Sequence, residues 1–209
     1  MECRGECSGR VKRCAVGVSL VVGLSLLSFG ARAQTWPGES DWIPVTSDGV
    51  PVGDPCTDVS GAQRERDLVG DADNPALFIY FDPPSPGADG AEYLFIRMRV
   101  DDDPVQGDGM SPFGWAVQFD TNGNLDDYEY ITMVNGIDNP DAVTLQKNTE
   151  QSALNDPNDQ AEEELGRWPI SDNLRVSDAT SSFCDSPDFF VDFFIPLAPL
   201  YDDGLPPDH

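Results

Sequence analysis

Short runs of alternating apolar and polar residues, cut at close intervals by Gly and Pro, limit this chain more than any other feature. The sequence holds 19 Gly and 18 Pro in 209 residues, which breaks long helices and favours brief strands joined by turns. Seven runs have strand character: 76–81, 92–100, 113–120, 128–134, 142–146, 174–176 and 189–195. Each is rich in aromatic and β-branched residues and bounded by Gly, Pro, Asn or Asp, the pattern of an antiparallel β-sandwich or barrel. Only 150–165 has helix-forming composition, and Pro157 breaks it. Residues 34–73 read as an irregular entry segment with Trp36, Trp42, Ile43 and Val45 as its apolar anchors. No internal repeat or long linker interrupts 34–209, so one all-β domain is expected there.

Residues 1–33 read as an export signal rather than as part of that domain. Arg4, Arg10, Lys12 and Arg13 precede an apolar run over 14–30, and Ala31-Arg32-Ala33 supplies a small-residue cleavage pattern before Gln34. An uncleaved anchor is the alternative, but 17 residues that include Ser and Gly fall short of the roughly 20 a spanning helix needs. The expected location is exported (extracellular, cell surface or periplasm), without stable membrane insertion after signal cleavage.

The full sequence has 12 Lys+Arg against 38 Asp+Glu, a formal net charge of −26. The signal takes with it five basic and two acidic residues, so 34–209 holds 7 basic and 36 acidic side chains, a net of −29. Such acidity argues against nucleic acid or anionic lipid as partners, because both attract clustered Lys and Arg. Cys3, Cys7 and Cys14 also leave with the signal, and Cys56 and Cys184 remain. In an oxidising compartment the pair reads as one disulfide; two buried thiols are the alternative.

Alternation assigns faces to the strands. Leu94, Ile96, Met98 and Val100 share one face of 93–100, opposite Tyr93, Phe95, Arg97 and Arg99. Phe189, Val191, Phe193 and Ile195 oppose Phe190, Asp192 and Phe194, and Trp115, Val117 and Phe119 oppose Ala116, Gln118 and Asp120. The first set of each pair is the expected core. In 128–134 either Tyr128, Tyr130, Thr132 and Val134 or Glu129, Ile131 and Met133 can point inward. A face that mixes aromatic rings with Arg97, Arg99, Gln118 and Asp192 suits sugar recognition, since rings stack on pyranose faces while polar groups satisfy hydroxyls. Structural pairing of Arg97 and Arg99 with Asp192, Glu129 or loop carboxylates is the alternative.

The stretch Asp120-Thr121-Asn122-Gly123-Asn124-Leu125-Asp126 sets side-chain oxygens at every second position around a glycine turn. Asp120, Asn122, Asn124 and Asp126 with a carbonyl and water could serve calcium, which takes six to eight oxygens. An EF-hand is excluded, because Gly123 stands at the fourth position and Ile131 at the twelfth. Either a calcium-binding hairpin loop or an ordinary Asn-Gly turn fits.

The only His is His209, which removes His-based triads, His-ligated zinc and His acid/base chemistry. No phosphate-binding Gly loop or Gly-x-Ser-x-Gly is present. Hydrolysis would have to rest on paired carboxylates, and with 36 acids in 34–209 such a pair carries no signal. The expectation is a non-catalytic protein.

Arg66-Asp67-Leu68-Val69-Gly70-Asp71, Asn74-Pro75-Ala76-Leu77-Phe78-Ile79, Tyr93 to Val100, Gly114 to Gly123 and Phe190-Val191-Asp192-Phe193-Phe194-Ile195-Pro196-Leu197 together resemble exported bacterial domains of the DOMON and family 9 carbohydrate-binding-module type. The resemblance implies a jelly-roll-like antiparallel β-sandwich, often a non-catalytic module, with sugar or haem ligands in different branches and a structural calcium in some. Haem-binding members use Met and His, which a single terminal His209 does not match. Such domains continue with a strand after Ile195-Pro196-Leu197, so the expected jelly roll lacks a C-terminal strand here. Taken together, a secreted carbohydrate-binding module is expected, with carbohydrate or a cell-surface component as partner and calcium as cofactor. A structural or adhesive surface domain without a small ligand is the second reading, and a carboxylate-pair glycoside hydrolase the third.

Overall fold

The computed structural model describes residues 34–56, 63–83, 91–124, 126–154 and 159–205. Residues 1–33, read above as an export signal, lie outside the described residues, as do Leu125, Pro157 and His209. The described residues from Pro37 onward form one compact unit. Its strands, in chain order, are β1 (Ile43–Pro44), β2 (Thr46–Ser47), β3 (Val50–Pro51), β4 (Leu77–Asp82), β5 (Tyr93–Val100), β6 (Val105–Gln106), β7 (Gly109–Met110), β8 (Gly114–Phe119), β9 (Tyr130–Asn135), β10 (Ala142–Lys147), β11 (Glu163–Pro169), β12 (Leu174–Asp178) and β13 (Phe189–Pro196). A single 3-10 turn (Arg64–Arg66) and two short helices, α1 (Ile170–Asn173) and α2 (Ala198–Asp202), complete the described elements.

The expected all-β class holds, and every pairing between strands is antiparallel. One sheet has five strands in the order β1-β4-β5-β13-β12, and a second has four in the order β11-β10-β9-β8. Both supply one buried apolar cluster: Leu94, Ile96, Met98, Val100, Val191, Phe193 and Ile195 from the first, Trp115, Tyr130, Val134, Val143 and Leu145 from the second. The core faces read from alternation in β5, β8 and β13 are those observed. In β9 the open choice resolves to Tyr130, Thr132 and Val134 inward, because these three are buried while Ile131 and Met133 are only half-buried. Trp115 lies in the core and its indole N–H donates to the Glu65 carbonyl at 3.1 Å.

Within 150–165, helix-forming by composition but broken by Pro157, the described residues contain no helix. The end of this segment opens β11, which pairs with β10 in the register Val143↔Trp168 and Lys147↔Glu163. The reason is position: β11 is an edge of the four-stranded sheet, and edge strands carry charges, Gly and Pro that a central strand would reject. Gly166 is required locally, since a Cβ there would collide with the Trp168 ring.

The entry segment carries the two-residue strands β1, β2 and β3, and through β1 it reaches the five-stranded sheet. β1 pairs with β4 through Ile43↔Ile79 and Pro44↔Phe78, which sets Trp42 beside the sheet, 7 % exposed. Cys56 and Cys184 form the expected disulfide, with Cα atoms 5.6 Å apart. It joins residues 128 positions apart. Chain-entropy accounting assigns a closed loop of that size roughly 4 to 5 kcal/mol.

Candidate functional site

Sheet pairing builds the first polar centre. Antiparallel register sets Asp192 on β13 directly opposite Arg97 on β5 and Arg175 on β12. One carboxylate therefore stands between two guanidinium groups. Arg97 donates from Nε to Asp192 Oδ1 at 2.8 Å and from Nη2 to Oδ2 at 2.9 Å, while Arg175 Nε reaches Oδ2 at 2.7 Å. Asp192 has no exposure and the Arg97 side chain only 3 %. Such a buried pair holds only because its geometry is bidentate and its hydrogen bonds are satisfied.

Aromatic rings enclose Arg97. Its guanidinium carbon lies 4.4 Å from the Trp42 ring centroid and 4.1 Å from that of Phe190, so the planar cation rests against two π systems. The outer edge of the fork meets Glu39 in the entry segment, with Nη1 to Oε2 at 2.7 Å and Nη2 to Oε1 at 3.1 Å. Unlike its partners, the Glu39 side chain is 76 % exposed. The Arg97 hydrogen bonds hold the Glu39 carboxyl below its usual pKa. For Arg97, burial opposes the charge, but the bonds to Asp192 and Glu39 outweigh it and raise the pKa.

Arg99 lies 4.7 Å from the same Phe190 ring and 4.0 Å from the Asp188 carboxylate. It also donates to the Ser181 hydroxyl and, at 3.3 Å, to the Pro75 carbonyl. Burial lowers its pKa, with Asp188 opposing. Further rings continue the face: Phe95 and Phe194 are 4.9 Å apart, Tyr93 and Phe194 5.9 Å, Tyr80 and Phe95 5.9 Å.

The structure thus brings Arg97, Arg99 and Asp192 together. Gln118 is not with them, being on β8 of the other sheet. There it lines a cleft of about 500 Å3 with Phe81, Phe119, Tyr130 and Leu200, and Asp120 and Thr121 stand at the same cleft. Glu39 and the stacking role of Trp42 and Phe190 were not legible from the sequence. No spacing rule links Glu39 to an arginine 58 positions away.

The loop after β8 forms the second polar centre. Asp120 Oδ1 accepts the backbone N–H groups of Asn122 and Gly123 at 3.0 and 2.8 Å. Asn122 Oδ1 accepts that of Asn124 at 2.7 Å, and Asn124 Oδ1 that of Asp126 at 3.4 Å. Gly123 has φ +80, the left-handed conformation that glycine adopts without penalty. Asn122 donates to Glu129, whose carboxylate also accepts from the Thr121 N–H at 2.7 Å. Asp120 Oδ1 is filled by two N–H groups, so what this exposed loop can offer a hard, oxygen-seeking cation is Asp120 Oδ2 and the second lone pairs of Asn122 Oδ1 and Asn124 Oδ1. A separate trio, Asp67, Asp101 and Cys184, brings ligand-type atoms together, but Cys184 is disulfide-bonded and Asp101 is paired with Arg64 at 2.7 Å.

Among the described residues no helix is long and apolar enough to cross a membrane. No family model, curated protein or solved structure matches the chain.

Proposed function

We propose that residues 34–209 form an exported, non-catalytic carbohydrate-binding module whose 120–126 loop takes a structural calcium. The observation that supports it is the Arg97 centre, where fixed polar groups and flat aromatic surfaces occupy one sheet face. Pyranose rings need both, a π face for their C–H groups and directional donors for their hydroxyls. The disulfide is in keeping with an oxidising compartment. Calcium at Asp120, Asn122, Asn124 and Asp126 would stiffen the β8–β9 connection beside the cleft that contains Gln118.

A glycan array probed with and without Ca2+ tests this reading. At least one glycan is expected to bind, with binding reduced when calcium is withdrawn. A blank array from folded protein removes the sugar reading. The second reading, a structural or adhesive surface domain, draws support from the saturation of the Arg97–Asp192–Arg175 ion cluster, which consumes the donors a ligand would use. It forecasts that blank array together with a calcium-dependent melting temperature.

A further inference from the structure

Arg97 is prepared for a carboxylate on one side and fixed on the other. Asp192, without exposure, holds Nε and Nη2 from beneath, and the rings of Trp42 and Phe190 stack against the cation. Only the outer edge, Nη1 and Nη2, meets a group that water can reach, and that group is the Glu39 carboxylate. Planar, bidentate pairing is the geometry in which a guanidinium binds carboxylates, as it also binds phosphates, and here the resident partner is a carboxylate.

Glu39 is the exposed end of the network. It belongs to an exposed turn, closed by the Asp41 N–H to the Gly38 carbonyl at 3.0 Å, between buried Pro37 and buried Trp42. An exposed carboxylate of this kind adds little to stability, so its removal leaves the Asp192 side of the network intact. Within the bonded cluster Arg97, Arg99 and Arg175 face Asp192, Asp188 and Glu39. Glu39 is the one of these three carboxylates that water reaches.

A second, independent observation points the same way. The Trp42 indole N–H is buried and has no hydrogen-bond partner among the described residues, although its residue is 7 % exposed and its ring rests on Arg97. A buried donor left unmatched is costly, and one beside a guanidinium is suited to a ligand oxygen adjacent to a carboxylate.

We infer that the Trp42–Arg97–Phe190 centre is a recognition site for hexuronate residues of an acidic glycan, with Glu39 as the resident carboxylate that the ligand's C6 carboxylate displaces. The inference rests on the carbohydrate-binding reading and narrows it. The sugar carboxylate takes the outer edge of Arg97, the Trp42 N–H takes a ring or hydroxyl oxygen, and the indole covers one side. Because Glu39 is tethered, it competes at an effective concentration on the order of millimolar, and its removal is expected to raise ligand affinity about tenfold.

The test titrates the purified protein and its E39Q variant with sodium D-glucuronate, D-glucose and sodium acetate, by calorimetry and tryptophan fluorescence. Glucuronate is expected to bind E39Q about tenfold more tightly than the unaltered protein, with acetate at least tenfold weaker than glucuronate and glucose unimproved by the change. W42F in the E39Q background should reduce glucuronate binding and leave acetate unaffected. Equal glucuronate affinity in the two proteins overturns the inference, as does acetate that binds as well as glucuronate. Should W42F fail to fold, the E39Q comparison decides alone, since Glu39 is a surface side chain. Neutral glycans bound equally by both proteins, with no gain for glucuronate, leave the carbohydrate-binding reading standing and remove this inference. A blank glycan array from both folded proteins removes both.

Discussion

The Arg97 centre and the 120–126 loop hold their polar side chains under opposite conditions. At Arg97, ions are withdrawn from water and answer one another across three paired strands. In the loop, acids and amides stay exposed and answer the backbone of their own turn. The first arrangement is expensive to disturb, because removing one partner leaves a buried charge. The second is cheap to disturb, since water replaces what is lost. Structural rigidity therefore resides in the sheet face, and tolerance of change in the loop and at Glu39.

The disulfide serves the sheet-face side of this contrast, because Arg64 donates to the Cys184 carbonyl and pairs with Asp101. Replacing Cys56 and Cys184 by Ser should lower unfolding free energy by roughly 4 to 5 kcal/mol, read from urea denaturation. Asp192→Ala should cost about 3 to 5 kcal/mol, against under about 1 kcal/mol for Asp120→Ala in metal-free buffer. Equal losses at the two positions would erase the distinction between the centres. Calcium should raise the melting temperature by a few degrees, in line with mass-action stabilisation, and Asp120→Ala should abolish that rise. A melting temperature indifferent to EDTA would remove calcium from the loop.

Smaller effects come from titration. The carboxyl of Glu39 has its pKa lowered in the fold by Arg97. Its contribution is therefore complete above the ordinary Glu value and disappears as pH falls through the lowered one. E39Q should flatten that acid limb. Tyr130 behaves in the reverse sense: burial and its hydrogen bond to Asp203 raise its pKa from 10.0 to about 12. That contribution is complete below about 10 and is lost as pH climbs to about 12, so Tyr130→Phe should be less sensitive than the unaltered protein over this range.

Much of the fold was legible because β5 and β8 alternate in sequence and a buried inner face enforces period two. The edge strand β11 was not, since Glu163, Glu164, Gly166 and Arg167 satisfy an exposed edge and resemble a helix or loop in composition. Half of the candidate site could be read: Arg97, Arg99 and Asp192 stand out as charges on otherwise aromatic strands. Glu39 could not, because its role depends on where β1 docks, a long-range outcome that local pattern does not encode. Gln118 was grouped with Arg97 by face alternation, which describes sides of a strand but not which sheet the strand joins.

The register Arg97↔Asp192↔Arg175 has a consequence for how the chain finds its fold. Strand β13 carries Phe189, Val191, Phe193 and Ile195 on one side and Phe190, Asp192 and Phe194 on the other, so greasiness alone scarcely tells its two sides apart. A slip of one residue would turn Asp192 into the apolar core, away from both arginines, at the cost of a stranded buried charge. A single carboxylate thus acts as a proofreader of strand alignment, rejecting the mispaired sheet that so many phenylalanines would otherwise tolerate.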